Sequence, residues 1–210
     1  MILGMPIFRG FLYLLLAATG LAASGQGALA QAVAGPYAGV GLSFAHGESE
    51  AGVGPVGSEG DLTALSFVLG NKWVGDDLSY AIELDADVNV GGDLKQDGPC
   101  GVDAIESYMC EQDSTVRLRG LVGTPLGDAE LFGAVGVGAT FGTFATGETS
   151  TGSGSVYGLT LGAGVNYPLR NGMNIRGEVN YDNFNNADQP TDQESDWNSL
   201  SVRLMAVFNF

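Results

Sequence analysis

The stretch LSYAIELDADVNV, residues 78–90, decides the fold because polar and apolar side chains alternate along nearly all of it. Successive side chains of a β-strand point to opposite faces, and at about 3.3 Å per residue this segment crosses a hydrocarbon layer even when tilted. We therefore predict a membrane strand with one face toward lipid and one toward a polar interior. The apolar face holds Leu78, Tyr80, Ile82, Leu84, Ala86, Val88 and Val90, and the polar face holds Glu83, Asp85 and Asp87.

The same alternation recurs in seven other segments, while no long segment beyond residue 35 has a helical period. Short connections such as VGDD, TPLGDA and PLRNG alternate with longer ones that are rich in Gly, Ser, Asp and Glu. This rhythm is typical of an outer-membrane barrel, which must be closed because lipid offers no partner to a free strand edge. We predict an all-β fold, an eight-stranded antiparallel transmembrane β-barrel. The other predicted strands are 36–45, 62–73, 114–123, 130–141, 156–167, 173–182 and 199–210, and the long loops are 46–61, 91–113, 142–155 and 183–198.

Residues 1–30 have the features of a cleavable signal peptide. Arg9 precedes the apolar run GFLYLLLAATGLAA, and Ala28-Leu29-Ala30 fits cleavage before Gln31. A retained N-terminal anchor is the alternative. We predict a signal peptide over 1–30 and a barrel domain over 31–210, with 34 glycines and 15% charged residues arguing against a soluble enzyme.

Charge and cysteine content limit the partners. The net charge of −16 argues against nucleic acid, because neutralising phosphates requires Lys and Arg. Cys100 and Cys110 lie close together in a polar segment of a chain that we expect to be exported, so we predict a disulfide. Two unrelated thiols are the alternative, since a metal site would need further ligands and the single histidine, His46, is distant in sequence.

Several segments resemble the small eight-stranded outer-membrane barrels of the OmpA-like and opacity-protein (porin-family) group of Gram-negative bacteria. They are PYAGVGLSF, YAIELDADV, TVRLRGLVGTP, LTLGAGVNYPL, IRGEVNYDNF and SVRLMAVFNF. The resemblance implies residence in the outer membrane, and we predict outer-membrane lipids and lipopolysaccharide as partners and a monomeric chain. It also implies that Phe210, together with Phe208, forms the C-terminal signal read by the barrel assembly machinery.

The carboxylates of residues 78–90 are best explained as part of the barrel interior. By the same alternation, the interior holds six acids and five bases, which need one another because an isolated buried charge is costly. We therefore predict an ion-pair network with no catalytic role. Its members are Lys72, Glu83, Asp85, Asp87, Arg117, Arg119, Glu130, Arg176, Glu178, Asp182 and Arg203.

Two other interpretations of these carboxylates are less favoured. Asp85 and Asp87 resemble the start of an EF-hand calcium loop, but Val90 stands in place of its glycine and Gln96 in place of its glutamate. A glycosidase pair would need a substrate cleft, whereas an eight-stranded barrel is just wide enough to be filled by its own side chains or to hold one small ligand. We predict no cofactor and no metal site.

The predicted long loops are strongly acidic. They carry fifteen acidic residues against a single base, Lys95. Solubility in a salt-adapted proteome is the simpler interpretation of this charge. Contact with lipopolysaccharide phosphates would need bridging divalent cations, and weak cation binding is therefore a hypothesis. His46, in the stretch HGESE, lies near Ser49 and is similar to the rim groups of lipid A-modifying enzymes, although a solvated surface histidine is the simpler interpretation. We predict a non-enzymatic structural or surface-interaction protein of the envelope, with a narrow porin as the first alternative and a lipid A-modifying enzyme as the second.

Overall fold

A computed structural model describes residues 33–51, 57–96, 109–145, 151–169, 172–188 and 195–210. These residues form eight long strands and one short strand. They are β1 (Gly35–Ala51), β2 (Gly57–Val74), β3 (Ser79–Gly91), β4 (Lys95–Gln96), β5 (Met109–Leu126), β6 (Ala129–Ala145), β7 (Thr151–Pro168), β8 (Met173–Asp188) and β9 (Ser195–Asn209). The predicted signal peptide, residues 1–30, lies outside the described residues and stays a prediction.

The eight long strands form a closed antiparallel ring. Each pairs with its neighbour in chain order, and β1 pairs with both β2 and β9, which closes the sheet. The short strand β4 adds to β2 through Ser58 and Glu59. The predicted eight-stranded antiparallel barrel is therefore confirmed, and closure leaves no long strand with a free edge in lipid.

The strands run farther than the sequence predicted. The predicted long loops 46–61, 91–113, 142–155 and 183–198 are wrong in extent, because strands extend into each of them from both sides. Beyond the apolar belt the outward positions become polar, as at Glu48 and Glu50, while the alternation continues and Ser49 stays buried. Backbone pairing does not require an apolar outer face, so the strands continue past the point at which hydrophobicity ends.

The outer surface of the barrel is apolar. The side chains assigned to lipid point outward, as Ile82 and Leu204 do with about half of their surface exposed (56% and 63%). Aromatic side chains form two bands on this surface, as is typical of outer-membrane barrels. One band, near the short turns, contains Trp73, Tyr80, Tyr167, Phe208 and Phe210, and the other, farther along the strands, contains Phe44, Phe141, Tyr157 and Tyr181. No helix in the described part of the chain is long and apolar enough to cross a bilayer.

The interior, which we call the lumen, has three layers. The lower cluster, toward the short turns, and the upper cluster, toward the other end, are both apolar, and charged side chains lie between them. Along β9, for example, Met205 belongs to the lower cluster, Arg203 to the middle and Trp197 to the upper cluster. The lower cluster is Tyr37, Val68, Ala81, Leu121, Phe132, Ala134, Met205 and Val207, and the upper cluster is Leu62, Leu94, Met109, Phe144, Val156, Phe184 and Trp197.

Candidate functional site: the charged lumen

Two arginines on β5 form the centre of the charged layer. Arg117 and Arg119 are two residues apart, so both side chains point into the lumen. The register places Arg119 opposite Glu83 of β3 and Arg117 opposite Asp85. The alternating acids of β3 are therefore direct cross-strand partners of these arginines, at a spacing at which opposite charges attract.

Arg119 joins two sides of the barrel. Its Nη2 donates to Glu83, and its Nε lies 2.7 Å from Asp85 Oδ2 as an ion pair without hydrogen-bond alignment. On the far side, its Nη1 donates to Glu178 and, at 2.6 Å, to Asn180 Oδ1 of β8. Because the Arg119 side chain is fully buried, water cannot replace these acceptors.

Arg117 also spans the lumen from β3 to β8, on the side of Arg119 toward the upper cluster. Its Nε and Nη2 hold both oxygens of Asp182 on β8, at 2.9 and 2.5 Å. Its Nη1 donates to Asp85 at 2.9 Å and to Asp87 at 2.7 Å. This two-pronged contact fixes the guanidinium plane across the lumen.

Arg176 of β8 lies just below the two central arginines. Its Nη1 donates to Glu83 Oε2 at 2.5 Å, and the Tyr37 hydroxyl donates to the same oxygen at 2.8 Å. The guanidinium also lies over the rings of Tyr37 and Phe132, 5.5 and 5.0 Å from their centroids. Arg176 therefore joins the charged layer to the lower apolar cluster through cation–π contacts.

Arg203 of β9 pairs differently from what its neighbours in the sheet suggest. The register sets it opposite Glu178, but its Nη2 lies 3.2 Å from Asp85 and its Nη1 lies 4.0 Å from Asp87, both across the lumen on β3. Glu178 is instead bound by Arg119. Arg203 therefore contacts Asp85, a carboxylate that it shares with Arg117 and Arg119.

Lys72 and Glu130 form a separate pair at the mouth near the short turns. Lys72 Nζ donates to Glu130 Oε2 at 2.5 Å, and the Ser79 hydroxyl and the Asn166 amide also donate to this carboxylate. The structure therefore places all the predicted lumen charges inside the barrel, nine of them in one connected group that we call the lumen network. The network consists of Glu83, Asp85, Asp87, Arg117, Arg119, Arg176, Glu178, Asp182 and Arg203.

Glycines on β6 and β7 make room for the arginines. A Cβ at Gly136 would lie 3.0 Å from Arg119 Cγ, and one at Gly138 would lie 3.1 Å from Arg117 Cγ. Gly162 faces the middle of the network, where a Cβ would meet only side chains. Alternation along β6 and β7 places these glycines on the inner face, but alternation alone does not show that the crossing needs them. An inward glycine opposite a long charged residue is the pattern that would have shown it.

Gly162→Leu is expected to lower the free energy of unfolding by about 1 to 3 kcal/mol, the usual cost of overpacking. A Cβ at this position would lie 2.5 Å from Asn180 Oδ1 and 3.1 Å from Glu178 Oε1. Urea unfolding in lipid vesicles measures the change. The matched control is Gly133→Leu on the outer face, where a Cβ meets nothing within 4 Å. Equal effects of the two substitutions would show that the space at Gly162 is not needed.

The lumen network separates two small cavities. The one toward the short turns measures about 40 Å³ and is lined by residues that include Tyr37, Lys72 and Arg176. The one above the network measures about 20 Å³ and is lined by residues that include Asp87 and Arg117. Such volumes hold at most a few water molecules. Among the residues that the structure describes, side chains therefore fill the lumen between the two cavities.

The remaining predicted residues lie away from the network. Phe208 and Phe210 are exposed on the outer face near the short turns. Cys110 is buried at the start of β5 and is not a free thiol, but Cys100 lies outside the described residues, so their disulfide stays a prediction. The EF-hand interpretation is not supported, because Asp85 and Asp87 lie on a straight strand and bind arginines.

His46 lies within β1 and not at the mouth of a loop as predicted. Its ring is on the outer face, whereas the nearby Ser49 is buried on the inner face, where its hydroxyl accepts a hydrogen bond from the Met109 backbone. Side chains an odd number of positions apart on a strand point to opposite faces. The structure therefore does not bring these two residues together as a catalytic pair.

Comparisons with known proteins agree with this architecture. The chain matches the family described as outer membrane protein beta-barrel domain over residues 13–210. No curated protein is significantly similar to it in sequence. Among solved structures, the outer membrane protein OprG of Pseudomonas aeruginosa is similar in fold, with a TM-score of 0.52, 15% identity and coverage of 84% of this chain and 96% of that one.

Two smaller similarities involve other barrels. Ail, the attachment invasion locus protein of Yersinia pestis, gives a TM-score of 0.44 at 12% identity, covering 84% of this chain and all of its own (100%). Neisserial surface protein A gives a TM-score of 0.47 at 11% identity, covering 82% of this chain and 97% of its own. Because the family match spans nearly the whole sequence and the ring of eight strands is closed, this chain belongs to the outer membrane protein beta-barrel family and is an outer-membrane protein of the Gram-negative type.

Proposed function

We propose that this protein is a structural component of the outer membrane whose lumen is closed by its own charges. The observation that carries the proposal is the double crossing of Arg117 and Arg119 from β3 to β8. The upper apolar cluster, which includes Trp197 and Phe184, adds a second closure above the network. To pass, a solute would have to separate these buried ion pairs. Nothing else in the lumen would give the separated charges new partners.

The proposal extends to partners. The apolar belt with its aromatic bands fits outer-membrane lipid, and we propose the barrel assembly machinery as the partner that inserts the chain. Above the belt, exposed acids such as Glu111 and Asp196 would repel lipopolysaccharide phosphates, so we propose that divalent cations bridge the two. A closed ring has no free edge through which to pair with a second copy, which supports a monomer.

Planar-bilayer recording tests the closed lumen against the narrow-porin alternative. The refolded wild-type protein is expected to give no stable conductance steps at about 1 M KCl, because each charge in the network already has a partner and the cavities beside it are small. A porin inserted under the same conditions is the positive control. Steady, reproducible open-channel steps from the wild type would overturn the proposal and favour the porin.

A further inference from the structure

The outer face of the β1–β2 pair carries a histidine among carboxylates. His46 and Glu48 lie on β1, just beyond the apolar belt, and Glu59 and Asp61 lie on β2. The register sets His46 opposite Asp61 and Glu48 opposite Glu59. These side chains are outside the lumen, so a ligand could reach them whether or not the lumen is closed.

Asp61 fixes the orientation of the histidine. Its Oδ1 lies 2.9 Å from His46 Nδ1, and a carboxylate accepts hydrogen bonds, so Nδ1 carries the hydrogen. In the neutral ring the lone pair is then on Nε2. Carboxylate–histidine pairs of this kind orient the ring of metal-binding histidines in many proteins.

The free nitrogen points into the cluster. His46 Nε2 is shielded from solvent and has no hydrogen-bond partner among the described residues. It lies 3.6 Å from Glu48 Oε1, so a lone pair faces a carboxylate oxygen. Such an arrangement is unfavourable unless Nε2 carries a proton or a cation lies between the two atoms, and a bound metal ion supplies that charge with the ring neutral.

Glu48 and Glu59 independently favour a cation at this position. They are direct cross-strand partners of like charge, which is destabilising in a sheet. One ligand atom from each of His46, Glu48 and Glu59 lies within 4.8 Å of the other two. Ligands of one tetrahedral zinc ion, each about 2.1 Å from the metal, lie roughly 3.4 Å apart, so side-chain rotations that close about 1.4 Å or less of each separation bring all three to one ion.

We propose that His46, Glu48 and Glu59 bind one divalent transition-metal cation on the outer face of the barrel, with Asp61 as the positioning residue for His46. An imidazole with two carboxylates favours zinc and its neighbours in the first transition series over calcium and magnesium, which prefer oxygen ligands alone. Three protein ligands leave at least one coordination position open.

Zinc titration of the tag-free protein in detergent tests the site. After chelator treatment and dialysis, calorimetry is expected to show one saturable zinc site that persists in millimolar magnesium. Because the chain has a single histidine, ¹⁵N-histidine labelling gives one imidazole, whose Nε2 signal is expected to shift on zinc addition while Nδ1 keeps its proton. His46→Gln is expected to abolish saturable binding, and Asp61→Asn to weaken it about 10- to 100-fold.

The matched control is Glu50→Gln, which removes the same charge from the same face of β1 outside the three-residue cluster. It is expected to leave zinc affinity within about twofold of the wild type. Absence of saturable zinc binding, or equal binding by wild type and His46→Gln, would overturn the proposal. Displacement of the zinc by millimolar magnesium would also overturn it, because it would show a diffuse acidic surface.

Discussion

Arg119→Ala is expected to lower the free energy of unfolding by about 3 to 5 kcal/mol, the usual cost of breaking a buried ion pair by removing one partner. The substitution leaves Glu83, Asp85 and Glu178 without a shared cation in an interior that water does not reach. Urea unfolding in lipid vesicles, followed by the heat-modifiable shift on gels, measures the loss.

The matched control is Lys72→Ala. Lys72 has one acidic partner, Glu130, and this carboxylate keeps the donors Ser79 and Asn166 when the lysine is removed. The control is therefore expected to cost clearly less than Arg119→Ala. Adding Glu178→Ala to Arg119→Ala should recover part of the loss, since the stranded acid is removed as well. If the two single variants cost the same, the network would not be a shared structural unit.

Trp197→Ala alone is expected to lower the free energy of unfolding by about 3 to 5 kcal/mol, the range for removing a large aromatic side chain from a core. Trp197 is fully buried in the upper cluster, with Phe184 and Phe144 in the same cluster. Gly47 gives the indole its space, since a Cβ there would overlap the ring. Tryptophan fluorescence and vesicle unfolding together report the change, with Trp73→Ala on the outer surface as the matched control.

The lumen network and the upper cluster should each block the lumen, and this gives a prediction about conductance. Trp197→Ala alone should leave the lumen network in place and the barrel closed. Arg117→Ala with Arg119→Ala should admit water from the short-turn side, where the cavity lined by Lys72, Tyr37 and Arg176 extends from the mouth to the network, and this water would still meet the upper cluster. Conductance steps are therefore expected only when all three substitutions are combined. Steps from Trp197→Ala alone would show that the network does not block ions.

The sequence determined the architecture because a membrane barrel is built on a two-residue period. One face of each strand must be apolar to meet lipid, so the pattern LSYAIELDADVNV specifies both the strand and the direction of Glu83, Asp85 and Asp87. The same rule applied to the other segments predicted eight strands and an interior of opposite charges. The rule also predicts that Arg117 and Arg119 lie in the interior, since both occupy inward-facing positions.

Only the tertiary structure decided which charges meet and where the strands end. Local alternation carries no information about contacts across the lumen, so the pairing of Arg119 with Glu178 and of Arg203 with Asp85 depends on closure of the ring. Above the belt the outward face no longer needs to be apolar, and the pattern that marked the strands fades although backbone pairing continues. For that reason Trp197, assigned to a loop by sequence, lies buried in a strand, and His46 lies beside Asp61 on the outer face.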